Sequence, residues 1–512
     1  MEFAVAPGSA SMCHMLDEVL SLIFDHLDVL DLKSASLVCR RWAQLTFAGR
    51  RMKRLCLKVD AVARDRTVAQ DFTEVLLRST RHYRHVVFAR NGTYGPTYFL
   101  QLLRKFTGSI QTLQVFPEWS LSLQDLKLLL LEVPYLRRFS LRSELRHGYC
   151  VDVGRKPGEW LPVLKKLQHL QLARDSSWLQ CDAFSVRTIA PHLERLVMDC
   201  HSERALEVYR HLSGQLKSVE VVFVQSDYFT RFSELSFPCL EELDYYCDER
   251  TLQFTDNGTV ESAGSFFRRL PKLRQLTLRC VARKVLLQSI MEHCRQLTSL
   301  NIVTSQMEKH ALEPLGRLSK LKNLQLDGFM RLHSFRRCKA VPSLESVHLK
   351  SVYFHDPLEF FQSLFRVAPQ LCSLNIQFSI VDDEVLHFIC YHFACLQSLT
   401  LECCRELTGE GLANIDQLAQ LRHFQLSFLS ISERMFECIP RNNVRYLSII
   451  CCDRTMDDGL RKIPGKFPFL RRLTIRKCPL VTNDCIERLR MLMPTCTIEK
   501  NGQHLYPVYV GL

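Results

Sequence analysis

Residues 371–401 read LCSLNIQFSIVDDEVLHFICYHFACLQSLTL, and the two ends of the stretch repeat one another. Leu371, Leu374 and Ile376 hold the first, fourth and sixth places of one copy. Leu396, Leu399 and Leu401 hold the same places 25 residues later. The fourth and sixth places alternate, as in a strand, where every second side chain shares a face. Between the copies, Val385, Leu386, Ile389, Cys390 and Phe393 fall on one helical face. The unit predicted is a short strand followed by a helix.

Copies of this unit run from residue 52 onward. Clear ones begin at Leu136, Leu167, Leu193, Leu240, Leu273, Leu297, Leu321, Leu344, Leu371, Leu396, Leu421 and Leu470. Weaker ones begin at Met52, Tyr83, Ile110, Leu216 and Val444. The mean spacing is about 26 residues, inside the range of leucine-rich repeats. One strand cannot cover its own leucines, so neighbouring units stack and bury a continuous core. Pro134, Pro191, Pro238, Pro271, Pro342, Pro369 and Pro468 each stand two residues before a copy. A proline there ends the helix and favours extended backbone before it. Cys404, Cys452 and Cys478 each lie eight residues after the start of a late copy, which resembles the cysteine-containing subclass of these repeats. A metal site at Cys390, His392 and Cys395 was weighed against this. Their spacing fits no common zinc pattern, and cysteine packs well as a small hydrophobe. No metal and no cofactor are expected.

Composition agrees with a folded protein. Of 512 residues, 47% are hydrophobic and 24% charged, with 19 Gly and 19 Pro. No apolar run reaches the roughly 18 residues that span a bilayer. The start, MEFAVAPGSASMCHM, lacks a basic segment followed by an apolar one, so a signal peptide is not expected. The 22 cysteines then read as reduced thiols and the chain as cytoplasmic, nuclear or both. The sequons at Asn91 and Asn257 carry no weight in that compartment. The net charge of +13 comes from scattered residues, without the clustered patch that nucleic acid requires. Neither nucleic acid nor a membrane is expected as a partner.

Residues 16–45, LDEVLSLIFDHLDVLDLKSASLVCRRWAQL, break the repeat. Leu16, Val19, Leu20, Ile23, Phe24 and Leu27 form an apolar helical stripe. Leu32 and Ala35, then Leu37, Val38 and Trp42, suggest two further short helices. About 40 residues make a small core, which favours support from a partner. The elements LxxEVLxxIFxxL at Leu16–Leu27, DL at Asp31–Leu32 and SLVCRRW at Ser36–Trp42 resemble the F-box family. Asp17 stands where that family usually has proline. An F-box followed by cysteine-containing repeats resembles the F-box/leucine-rich-repeat class, the substrate receptors of SCF ubiquitin ligases. The resemblance implies a Skp-family adaptor bound by the F-box and, through it, a cullin–RING ligase. It implies a protein substrate held by the repeats and no catalysis by the chain itself. No P-loop, GxSxG, HExxH or GxGxxG appears. The alternative is a leucine-rich-repeat interaction scaffold without a ligase role.

The fold expected is α/β. An N-terminal all-α F-box of three short helices leads into a curved solenoid, with a parallel sheet on the concave face and helices outside. The boundaries expected are a disordered start over 1–11, the F-box over 12–50, the solenoid over 51–500 and a tail over 501–512. The adaptor contacts expected are Leu16, Leu20, Ile23, Phe24, Leu27, Leu32, Leu37, Val38 and Trp42. For substrate, the outward strand positions single out Arg445, Tyr446, Arg471, Arg472 and Arg476 near the end. In the middle they single out Asp244 and Tyr246. Long spacings after Leu136 and Leu240, and the tail HLYPVYVGL, are further candidates for contact.

Overall fold

The structure is a computed structural model. It describes residues 15–27, 29–47, 49–53, 55–59, 74–79, 81–88, 96–116, 123–141, 161–172, 185–223, 226–247, 264–429, 433–452 and 455–500. Residues 1–11, both long insertions (142–160 and 248–263), Asn91, Asn257 and the tail 501–512 lie outside the described residues.

The chain begins with four helices: α1 (Asp17–Asp25), α2 (Val29–Ser36), α3 (Arg40–Thr46) and α4 (Gly49–Met52). The fourth is one turn more than the sequence suggested. Leu20, Phe24, Leu32 and Ala35 form the buried core, with Met15, Ile23, Leu27, Trp42 and Leu45 packed around it. Phe24 meets Trp42 edge to face, with ring centroids 5.1 Å apart. Asp17 opens α1 and accepts a 2.7 Å bond from Arg41 Nε. Its charge also suits a helix N-terminus, so the missing proline is replaced by an ion pair.

The chain forms two compact units, Met1–Asp199 and Cys200–Leu512. The division falls inside the repeats rather than at the F-box boundary expected near residue 50. The first unit carries β1 (Cys56–Val59), β2 (His85–Phe88), β3 (Thr112–Val115), β4 (Arg138–Leu141), β5 (His169–Leu172) and β6 (Arg195–Val197), each parallel to the next. In the second unit come β7 (Ser218–Phe223), β8 (Glu242–Cys247), β9 (Gln275–Arg279), β10 (Ser299–Val303) and β11 (Asn323–Asp327). After the short β12 (Arg331–Leu332) follow β13 (Ser346–Lys350), the short β14 (Tyr353–Phe354), β15 (Ser373–Gln377) and β16 (Ser398–Glu402). β17 (His423–Ser427), β18 (Tyr446–Ile450), β19 (Arg472–Arg476) and β20 (Thr497–Lys500) complete it. Apart from the β12–β14 pair, these strands also run parallel in sequence order.

Seventeen strands match the copies read from sequence; two details differ. Met52 belongs to α4, and the inward residues of β1 are Leu57 and Val59, so that weak copy is two residues out of phase. β20 was not foreseen, because Cys496 and Ile498 replace its leucines. Pro494, two residues before Cys496, was the signal available.

Alternation holds strand by strand. Leu374 and Ile376 are fully buried, while Ser373, Asn375 and Gln377 are half-buried on the opposite face. Register is set by the residue before each strand. The Arg422 carbonyl accepts both Arg445 N–H and Tyr446 N–H at 2.9 Å, and the Gln397 carbonyl accepts Arg422 and His423 in the same way. After the strand the backbone turns left-handed: Ser351, Phe378, Cys403, Phe428, Cys451 and Lys477 have φ of 50–55°. Gly328 holds that place after β11 at φ 107°, where a Cβ would lie 2.3 Å from the Thr304 carbonyl oxygen. Between strands run helices such as Asp383–His392, which buries Val385, Leu386, Ile389 and Cys390.

The cysteines eight residues after the start of each late copy are structural. Cys452 Sγ donates to Ile450 O at 3.4 Å and Leu426 O at 3.8 Å, spanning two strands. Cys478 repeats the contact one strand later, and Cys404 makes it two strands earlier, across β15 and β16. Burial pushes the Cys404 and Cys452 thiols up to about 12. Cys39 is instead exposed, and its sulfur caps α3 by accepting Trp42 N–H at 3.4 Å.

A second link between neighbours was not legible. Thr482 precedes the helix Asn483–Leu492, and its hydroxyl accepts Cys485 N–H at 3.1 Å. The same hydroxyl donates to Asp457 Oδ2 at 2.6 Å, and Thr482 N–H donates to Oδ1 at 2.9 Å. Asp383 and Thr408 make the same clasp. Burial alone would push the Asp457 carboxyl up, but the Thr482 hydroxyl and amide, the Cys485 thiol and the Arg461 charge outweigh it. The carboxyl stays below the ordinary aspartate range. Its contribution is therefore complete above the unfolded pKa, about 4, and is lost as pH falls through the lower folded value. Asp457→Ala is expected to destabilise the last repeats by about 1–3 kcal/mol and to remove this acid dependence. Hydrogen exchange over residues 483–500 at neutral pH checks it; unchanged protection would refute the clasp.

Candidate functional site

α4 is tied back by one side chain. Arg51 is buried, and its Nη1 donates to Ser21 O at 2.6 Å and Asp25 Oδ1 at 2.7 Å. Its Nη2 reaches Ser21 Oγ at 2.9 Å and also Leu45 O, while Nε reaches Thr46 O at 3.1 Å. One guanidinium thus joins α1, α3 and α4. Sequence reading missed it, because the nearest signal, an RR pair at 50–51, says nothing of partners up to 30 residues away.

A family model described as F-box-like matches residues 17–58. The chain carries an F-box-like domain. The F-box leads into a leucine-rich-repeat sheet with helices between its strands. Among curated proteins no match is found. Two solved structures share some of the fold. The chain has 16% identity and a TM-score of 0.46 to a chain of the TLR13–ssRNA13 complex, over 77% of its own length and 57% of that chain. It has 15% identity and a TM-score of 0.37 to a chain of the Rad7 and Elc1 complex in yeast, over 94% of its own length and 92% of that chain.

Within the F-box, the residues expected to meet an adaptor divide. Leu20, Phe24 and Leu32 are 0%, 1% and 4% exposed. Enclosed by their own helices, they form the core of the domain. Ile23, Leu27 and Trp42 are half-buried against that core. Leu16, Leu37 and Val38 are exposed, Leu37 by 86%. Val19, Leu22 and Val29 are exposed too, though none was among the expected adaptor contacts. Among the described side chains of residues 16–38, six large apolar ones therefore face outward, the mark of an interaction surface.

On the sheet face, the substrate candidates also divide. Asp244 receives Arg279 Nε and Nη2 at 3.0 Å each, a two-point pair. Tyr246 beside it remains partly exposed. Near the end, Arg445 is half-buried and Arg471, Arg472 and Arg476 are exposed. Among the described residues, Arg445, Arg471 and Arg476 have no carboxylate partner, and Arg472 has only Glu499 at 3.9 Å. Tyr446 stacks on His423, with ring centroids 4.4 Å apart and planes 2° apart.

The residues weighed for metal do not converge. Cys390 is buried, its thiol pushed up to about 12 by desolvation. His392 stacks on Phe388 at 4.0 Å, and Cys395 donates to Gln370 Oε1 at 3.3 Å.

Proposed function

We propose that the chain is the substrate-recognition subunit of an SCF-type (Skp–cullin–F-box) ubiquitin ligase. Its F-box binds a Skp-family adaptor through Leu16, Leu37, Val38 and their exposed apolar neighbours. The adaptor connects it to a cullin–RING ligase, in the cytoplasm, the nucleus or both. The repeats hold a protein substrate so that one of its lysines meets the ubiquitin thioester, which leads to proteasomal degradation. The chain contributes proximity and orientation, not covalent chemistry. The observation that carries this reading is the F-box-like domain with its outward apolar residues. The thiolate is the form that attacks a thioester, and burial keeps Cys390, Cys404 and Cys452 protonated.

Affinity capture of the full chain, read by mass spectrometry, is expected to return adaptor and cullin together. Given activating and conjugating enzymes but no cullin, the chain is expected to form no reducible ubiquitin conjugate on itself. Adaptor without cullin would favour a repeat scaffold with no ligase role; neither protein would sink the reading.

A further inference from the structure

We infer that the sheet face of β17–β19 binds an acidic, Asp- and Glu-rich segment of a protein. This rests on the reading that the repeats hold a protein substrate. β17, β18 and β19 are parallel and in register, so His423, Tyr446 and Arg472 stand side by side, as do Ser427, Ile450 and Arg476. One residue earlier stand Arg422, Arg445 and Arg471, whose carbonyls carry the ladder. Strand spacing sets these arginines about 4.8 Å apart.

Three features point to the ligand. The segments 422–427, 445–450 and 471–476 together hold five arginines and no Asp or Glu. The middle of the sheet differs, since its Asp244 and Arg279 close on each other. The His423–Tyr446 stack lays a flat aromatic surface beside the arginines, and aromatic and arginine residues together are common anchors. Finally, the backbone N–H groups of Arg445, Tyr446, Arg471 and Arg472 are spent on the ladder. A compact phosphate site usually draws on free backbone N–H groups. Here only side chains spread over three strands meet the ligand, which suits several separated carboxylates better than one phosphate.

The test uses the full chain and a fluorescein-labelled Glu/Ser copolymer peptide, with anisotropy as the readout. Binding is expected, and it should weaken as salt rises. Arg445→Glu/Arg471→Glu/Arg472→Glu is expected to weaken it at least about tenfold, while Arg138→Glu on β4 leaves it unchanged. Arg471 and Arg472 are exposed and Arg138 and Arg445 only half-buried, and matching circular dichroism confirms folding. Equal binding by the triple variant overturns the inference. So does tighter binding of a phosphoserine peptide of otherwise neutral sequence, or of single-stranded nucleic acid. Adaptor capture is measured in parallel. Its loss from wild type with peptide binding intact would count against the ligase reading alone.

Discussion

Arg51→Ala is expected to unfold the F-box and abolish adaptor capture while β9–β20 stay protected. The substitution removes the Arg51 donor from the carbonyls of Ser21, Leu45 and Thr46 and from the Asp25 carboxylate. Asp25 is partly solvated, so the loss falls on hydrogen bonds from a charged donor, each worth about 1.5–3 kcal/mol. Among the described residues, the core that must withstand this has four fully buried side chains. A core so small supplies no more than about 3–5 kcal/mol, so the loss exceeds what the domain holds in reserve. Arg51→Lys keeps the charge but not the planar fork, and is expected to fall between. Hydrogen exchange of residues 17–46 reads the result. Full protection in Arg51→Ala would show that the network is dispensable.

Leu37→Asp/Val38→Asp should do the opposite: leave the F-box folded and remove the adaptor. Both side chains are exposed, by 86% and 61%, so the free domain loses no packing. Against a partner, each buried apolar anchor is worth about 2 kcal/mol or more, and a charge in its place adds a desolvation cost. The double variant is expected to bind at least about a hundredfold more weakly. Undiminished capture, with exchange protection intact, would move the adaptor surface away from this turn. Leu20→Ala, which opens a cavity in the core, should instead copy Arg51→Ala. The pair of outcomes separates contact from scaffold.

The contrast marks what could be read from sequence. Phase along a strand is local, so the inward Leu374 and Ile376 and the outward Tyr446 and Arg472 followed from alternation alone. The same reasoning placed Leu20 and Phe24 inward on α1, but it put Leu16 and Val19 on the same stripe, and both are exposed. The outward places of Leu37 and Val38 depend on where α2 ends and how α3 returns. Arg51 depends on partners up to 30 residues away, and the Asp457–Thr482 clasp on one 25 residues away. Neither leaves a period to detect. The arginine face was legible as a list of outward residues. That Arg445, Arg471 and Arg476 lack carboxylates among the described residues while Asp244 has Arg279 required the neighbouring strands.

The ladder has a consequence for inheritance. Ser346, Ser373, Ser398 and His423 occupy one column, and each strand meets the next through the same two bonds to the carbonyl before it. Nothing in that joint identifies which repeat comes next. A gene that lost the codons for 373–397 would bring SLTLE at 398–402 to the place of SLNIQ, with buried and half-buried positions matched. Cys403 would inherit the left-handed turn of Phe378. The lineage can therefore change the number of strands by whole units, at little risk to the fold, while the arginine face at the far end passes on intact.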